Sequence, residues 1–362
     1  MADHRLLTLR DLGERRIVQE LIAPRFPRAG SLISGIGDDC AVIPCPQAGQ
    51  VLVMTTDPCP TPIICMIEPP DYYHYGRFTV LINMSDLAAM GASPIGIVIS
   101  TVMEEDMSVA DYARFLDGLS DASEEWACPI IGGNIKDGPT FTANGSALGS
   151  IEEDLVMKRS GAAPGDQVCV IGQMGLFWAA VIGRVSSISV SPNEQNALDE
   201  ALYTPVARLR EGMKLAKTRQ VTACIDSSDG IAGCLRELAL INDVDIIVDS
   251  ALLSPHPAVQ KIADATTIDF RKLMLAWGGW ELVCTVRTEG INEVRQSLEA
   301  MGTKFSVIGE VRSGSGSVRI KEGNAIGRLA NLGSERFCPT STFTHGLDAY
   351  LNFLRSEPLI SI

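Results

Sequence analysis

Gly35-Ile36-Gly37-Asp38-Asp39-Cys40-Ala41-Val42 places two adjacent carboxylates in a glycine-flanked turn that runs into an apolar segment. Buried together, such a pair repels itself unless a cation lies between or beside the two groups. Alone, the stretch reads as a surface turn. Recurrence changes that reading. Thr55-Thr56-Asp57, Asn83-Met84-Ser85-Asp86 and Asp226-Ser227-Ser228-Asp229-Gly230 each use an apolar strand or helix to deliver a hydroxyl and an aspartate. Such turns point to magnesium-bound nucleotide phosphates, because Mg²⁺ takes oxygen ligands and commonly shares carboxylates with substrate phosphates.

The chain has 362 residues, enough for two domains with cores of their own. Apolar residues make up 46% and charged residues 20%, the balance of a soluble globular protein. A formal net charge of −14 argues against a nucleic-acid or anionic-membrane partner. It leaves anionic substrates open, since carboxylates that load divalent metal reverse their own local field. The 10 cysteines include no Cys-x-x-Cys pair and the histidines number 4, so a zinc site is not expected. The start lacks an apolar signal core, and no run of about 18 apolar residues occurs. The expectation is a cytoplasmic protein with reduced, buried thiols.

Taken in order, residues 11–27 predict a short amphipathic helix, Gln50–Thr56 a strand, and Pro58–Pro70 a loop that cannot be helix and is a candidate substrate lid. A helix is expected over Tyr72–Met90, interrupted by Asn83, Ser85 and Asp86, with strands at Ile95–Val102, Pro129–Ile131 and Thr140–Leu148 and a helix at Ser108–Trp126. The small residues of Thr142–Gly149 suggest a close sheet-to-sheet contact between two copies. A second α/β unit begins near Lys158–Asp166. In it Gly172-Gln173-Met174-Gly175 opens a helix whose free amides suit phosphate only weakly, and Ser186–Asn196 reads as a mobile loop. The domain plan is 1–155, 156–330 and a weakly patterned appendage at 331–362.

Each acidic turn has a plain structural reading as well. Asp226 and Asp229 flank a helix start, where such residues cap, and Asp57 precedes Pro58 as turn residues do. Asp86 has no such alternative, because it lies in an apolar helix with no partner evident in sequence, and an unpaired buried polar group costs roughly 1–3 kcal/mol. No P-loop and no kinase-type glycine loop occurs, so an ATP site here is of another type.

These motifs, with Gly132-Gly133-Asn134 and Ser160-Gly161-Ala162-Ala163-Pro164-Gly165-Asp166, stand in an order that resembles thiamine-monophosphate kinase. That family lies within the aminoimidazole ribonucleotide synthetase and selenophosphate synthetase superfamily. The resemblance spans roughly residues 30–320. It implies an α/β (α+β) two-domain synthetase-like fold, an N-terminal sheet domain that pairs in a homodimer, and ATP bound in a cleft completed by the C-terminal domain. It also implies Asp38, Asp57, Asp86, Asp226 and Asp229 as magnesium ligands, with Asp57 and Asp229 catalytic. Gly37, Thr55, Thr56, Asn134, Arg159 and Ser228 would then serve the nucleotide or its metal.

Two departures bear on substrate. Asn134 stands where the kinases carry the aspartate of Gly-Gly-Asp, a neutral amide in place of a carboxylate. The acceptor-side signatures are also replaced: Pro58-Cys59-Pro60-Thr61-Pro62 follows Asp57, and Gly278-Gly279-Trp280-Glu281-Leu282 is two residues shorter than its counterpart. The expected function is an ATP- and Mg²⁺-dependent phosphotransferase acting on a small molecule other than thiamine phosphate. The alternatives are a ligase or cyclase-like enzyme that phosphorylates a carbonyl, carboxylate or amide oxygen for attack by an amine, and a non-catalytic nucleotide-binding protein. Neither nucleic acid nor membrane is an expected partner.

Overall fold

The structure, a computed structural model, describes residues 19–20, 38–45, 47–332 and 345–361. Gly37 lies outside the described residues, as does the helix expected over 11–27 apart from Gln19 and Glu20. The first unit is a five-stranded sheet of β1 (Ala41–Pro44), β2 (Gln50–Pro58), β3 (Ser93–Met103), β4 (Ile130–Asp137) and β5 (Thr142–Glu152), in the order β1-β2-β5-β3-β4. β3 and β4 run parallel and the other neighbours antiparallel. A single turn, α1 (Ile64–Ile67), precedes α2 (Tyr72–Met90), and α3 (Val109–Glu125) packs against α2 where Gly76 meets the backbone of Phe115 and Leu119.

The second unit is an eight-stranded sheet of β6 (Gln167–Ile171), β7 (Val221–Asp226), β8 (Val244–Asp249), β9 (Leu282–Val286), β10 (Phe305–Ser313), β11 (Val318–Glu322), β12 (Ala325–Leu329) and β13 (Ile360–Ser361). Its order is β13-β12-β11-β8-β10-β6-β9-β7. The helices are α4 (Leu176–Val185), α5 (Pro192–Tyr203), α6 (Leu209–Thr218), α7 (Ile231–Ile241), α8 (Pro257–Thr266), α9 (Phe270–Leu275), α10 (Ile291–Glu299) and α11 (Leu347–Ser356).

Strand alternation explains how the two units share a core. Val168, Val170, Ile225 and Val283 point into the second unit's own helices. Cys169, Ile171, Cys224, Leu282 and Cys284 point the other way, into a core they share with α2 and the first sheet. α2 is the wedge between the sheets. Asp71 caps its start by accepting from the Tyr73 amide, Gly91 ends it at φ 74°, and every residue from Gly76 to Met90 is buried. A helix buried all round has no polar face to spare, so its polar residues must find partners inside the protein.

Several sequence expectations are corrected. Pro58–Pro70 is not a free lid: it contains α1, and Ile63 and Ile64 are buried in the second unit's core. Glu68 then accepts from Tyr203 Oη at 2.6 Å and pairs with Arg184, so the segment straps the two units together. Ser186–Asn196 is not all loop, because Ser191 and Glu194 form a capping box that starts α5 with Pro192 in its first turn. The small residues of β5 on its buried face, Ala143, Gly145, Ala147 and Gly149, make room for α2. A Cβ on Gly145 would stand 2.3 Å from Asn83 Nδ2, and one on Gly149 would stand 3.2 Å from Leu87 Cδ2. Gly172, at φ 121°, packs against Glu281 and Arg208, and Gly175 is the N-cap of the helix that this turn was expected to open.

The tail also departs from the expected weakly patterned appendage. α11 buries Tyr350, Leu351 and Leu354 in the core, and β13 extends the sheet beside β12. Tyr350 packs at 4.6 Å from Trp178 and 5.9 Å from Trp277, centroid to centroid. Tyr350→Ala is expected to lower the unfolding free energy by about 3–5 kcal/mol, the cost of emptying a buried aromatic site. Urea denaturation measures it, and a loss under about 0.5 kcal/mol would show that the tail does not hold the fold.

Candidate active site

Each sheet and the wedge helix deliver one carboxylate to a single point. Asp39, just before β1, Asp86, on the last turns of α2, and Asp226, at the end of β7, each place an oxygen within 4.8 Å of the others. Thr55, on the face of β2 that meets α2, donates to Asp86 Oδ2 at 2.5 Å. Ser85 donates across the junction to Asp226 Oδ2 at 2.8 Å, and Ser228 donates to Asp226 Oδ1 at 3.0 Å. Arg159 forks onto Asp39, Nε to Oδ2 at 3.0 Å and Nη2 to Oδ1 at 2.8 Å. Ser85 and Asp86 thus find their partners in elements far away in sequence, whereas Asn83 Nδ2 donates to Thr79 O within α2 and its Oδ1 is buried with no hydrogen-bond partner among the described residues.

Of the residues singled out from sequence, Thr55, Asp86, Arg159, Asp226 and Ser228 come together. Asp57 shares the Thr55 face of β2, and its charge acts on Asp86. Asp38 accepts from the amides of Asp39 and Arg159, at 3.1 and 3.3 Å, and stands beside the cluster while Asp39 enters it. Asp229 lies half-buried in the turn that starts α7. Thr56 points to the opposite face of the sheet, where its hydroxyl meets Gly145 O at 3.0 Å and Ser146 Oγ at 2.8 Å. Asn134 is exposed on the edge strand β4, in register with Ser100. Three strand spacings separate β4 from β2, about 14 Å, beyond the reach of a shared metal ion. Gly37 is outside the described residues.

Asp39, Ser85 and Ser227 stand in the motifs quoted from sequence but are not among the site residues assigned from it. Adjacent carboxylates such as Asp38 and Asp39 cannot both point inward, and which one does depends on Arg159, remote in the chain.

Three carboxylates beside one guanidinium leave unbalanced negative charge. Burial, then the charges of Asp226, Asp57 and Asp39, push the Asp86 carboxyl well above its usual range, against the pull of the Thr55 hydrogen bond. Burial, then Asp39, raises Asp226 to about 7, while Ser85, Arg159 and Ser228 work the other way. Burial opposes the charge on Arg159, but Asp39 outweighs it and holds the guanidinium above its usual value. An all-oxygen donor set that resists full ionisation on its own suits a hard divalent cation.

The AIR synthase related protein N-terminal domain matches residues 37–151, and the corresponding C-terminal domain matches 163–321. The thiamine-monophosphate kinase of Pyrococcus abyssi is 31% identical over 304 residues, covering 83% of this chain and 90% of that protein. The chain belongs to the AIR synthase related family. The thiamine-monophosphate kinase of Escherichia coli is 27% identical over 314 residues, covering 84% of this chain and 94% of its own. Among solved structures, AaThiL complexed with AMPPCP and TMP superimposes with a TM-score of 0.74 at 24% identity, covering 89% of this chain and 98% of that one. The hydrogenase maturation protein HypE in complex with ATP gives 0.64 at 19%, covering 87% and 93%. These two show the fold. Membership and the kinase relatives make this chain a kinase-like ATP-dependent enzyme of the superfamily.

The raised carboxyl of Asp226 sets a pH dependence for the metal-free protein. Between the unfolded value near 4 and the folded value of about 7, the folded state holds a proton that the unfolded state releases. Stability from this group is therefore complete below about pH 4 and lost as pH rises through about 7. Urea melts in chelator are expected to show wild type gaining stability from pH 8 to pH 5 relative to Asp226→Asn. Parallel profiles would mean that Asp226 is not strained by its neighbours.

Proposed function

We propose that this enzyme transfers the γ-phosphoryl group of Mg-ATP to a small-molecule acceptor other than thiamine monophosphate. The convergence of Asp39, Asp86 and Asp226 beside Arg159 carries the reading. Phosphoryl transfer asks little covalent chemistry of a protein and much positioning and charge neutralisation. Asp39, Asp86 and Asp226 would hold magnesium, with Asp57, Asp38 and Asp229 around them. Bound magnesium supplies neutralisation of the phosphate charge. The chain's own groups fix the geometry: Thr55 orients Asp86, Ser85 and Ser228 orient Asp226, and Arg159 forks onto Asp39 and holds its carboxylate in place.

The acceptor is where this chain departs from its kinase relatives. The segment after Asp57 is docked as a strap, with Ile63 and Ile64 in the second unit's core, and Glu281 turns inward to Ser227. Neither segment offers the acceptor the side chains that the relatives' signatures supply, and a site lacking the groups a polar substrate needs rejects it by large factors. Asp86→Asn and Asp226→Asn are each expected to lower turnover by about 100-fold or more, at least about 2.7 kcal/mol of barrier, without lowering the melting temperature of the metal-free protein. A coupled ADP-release assay across hydroxyl, phosphate and carboxylate acceptors is expected to find one that turns over while thiamine monophosphate does not. Turnover of thiamine monophosphate near 1 s⁻¹, roughly the low end of ordinary enzymes, would overturn the substrate reading.

The reading includes a homodimer through the face of the first sheet that α2 leaves uncovered. Met54 and Leu148 are register neighbours on that face, Val98 stands beside Ser146, and Met54 and Val98 are 45% and 39% exposed. An apolar stripe on a sheet face is a surface that a second copy can bury. Val98→Glu is expected to convert a dimer to a monomer in sedimentation velocity. A wild-type monomer at micromolar concentration would remove this part of the reading.

A further inference from the structure

We propose that Glu281 is a positioning residue for the carboxylate turn Asp226–Asp229, acting through Ser227. This rests on reading the acidic cluster as the metal and phosphate site. Asp226 and Ser228 bracket a residue that points the other way: Ser227 is wholly buried and makes its bonds to Glu281. The Ser227 hydroxyl donates to Glu281 Oε2 at 2.7 Å and accepts from the Glu281 amide at 2.8 Å. The Ser227 amide in turn donates to the Glu281 carbonyl at 2.9 Å. Three reciprocal bonds tie the β7 turn to the segment entering β9, and the turn they hold aims Asp226 at Asp39 and Asp86.

The segment that supplies Glu281 is shaped around its carboxylate. A Cβ on Gly279 would stand 2.2 Å from Glu281 Oε1 and 2.5 Å from Oε2, so the carboxylate occupies the space that only glycine leaves there. Trp280 takes φ 56°, a strained conformation for a tryptophan, and its ring packs at 6.0 Å, centroid to centroid, against Phe78 of α2. Gly172 clears the other side, where its absent Cβ would stand 2.9 Å from Glu281 Cγ and 3.0 Å from Arg208 Nε. Strained backbone and two cleared sites around one fully buried carboxylate exceed what a loop-closing residue needs. They fit a group whose position is transmitted to the site. Among the described residues no hydrogen bond joins Glu281 to Thr55 or Ser85, and its side chain is bonded to the turn through Ser227.

The test is the Mg²⁺ concentration at half-saturation for binding of a non-hydrolysable ATP analogue, followed by calorimetry, with melting temperature recorded in parallel. Ser227→Ala and Glu281→Ala are expected to raise that midpoint by about tenfold, the usual effect of losing a group that orients a metal ligand. Glu281→Gln, whose amide oxygen still accepts from Ser227, is expected to stay within about threefold of wild type. The Ser227→Ala/Glu281→Ala double variant should match Ser227→Ala alone, because that substitution already removes the one hydrogen bond made by the Glu281 side chain to Ser227. A lowered melting temperature with an unmoved midpoint would reduce Glu281 to a folding residue and overturn the inference, as would a Glu281→Gln midpoint as high as that of Glu281→Ala. If Glu281→Ala does not fold, Ser227→Ala and Glu281→Gln decide the matter. Wild type that binds the analogue with no dependence on Mg²⁺ would instead overturn the site reading itself.

Discussion

The hydrogen bond from Ser85 to Asp226, made by a helix buried on every side to a strand end of the other sheet, fixes how the two halves of this molecule meet. Thr79 and Asn83 bond back to carbonyls one turn earlier in α2, but Ser85 and Asp86 pair outside the helix, and leaving such groups unpaired in the interior is costly. Their partners must therefore come from β7 and β2, which brings both sheets to the same flank of one helix. The glycines and alanines of β5 let α2 lie close enough for this, and Gly212 does the same for α6, where a Cβ would stand 2.1 Å from Ala88 O. Packing and polar satisfaction thus demand one geometry, which also gathers the carboxylates.

That geometry is electrostatically unfavourable without a cation. Asp86 and Asp226 have their pKa values raised because each is buried near other carboxylates, and only Arg159 offers a neighbouring positive charge within their hydrogen-bond network. A protein that placed these groups together for stability alone would have done better with apolar residues. The arrangement makes sense for an enzyme that handles phosphates, where the site must hold charge that its ligand completes. Stability is supplied elsewhere, by the aromatic cluster of Trp178, Trp277 and Tyr350, the strap over α4 and the shared core of the two sheets.

The departures from the kinase relatives are concentrated on one side of this site. The phosphate-side turns are kept, whereas the strap and the Gly278–Glu281 turn have become internal fittings, one clamping the two units and the other bracing Ser227. On the function proposed above, these two segments are where acceptor choice would differ from the kinase relatives while ATP handling is shared.

The sequence by itself determined the family, the two α/β units and the presence of acidic turns at strand and helix ends, because ordered short motifs and strand or helix periodicity are local properties. Asp86 was legible as functional from sequence because a carboxylate in an apolar helix has no cheap local explanation. Tertiary structure alone decided which of Asp38 and Asp39 enters the cluster: the Arg159 guanidinium takes Asp39 and its backbone amide takes Asp38, and Arg159 is remote in the chain. It also separated Thr55 from Thr56 and set Asn134 apart on an edge strand, because face and strand order depend on pairings between distant segments. The strap was misread because its apolar residues are too few to show a period, whereas the tail carries Leu347, Tyr350, Leu351 and Leu354 at helical spacing and only its docking into a core built by the rest of the chain was hidden.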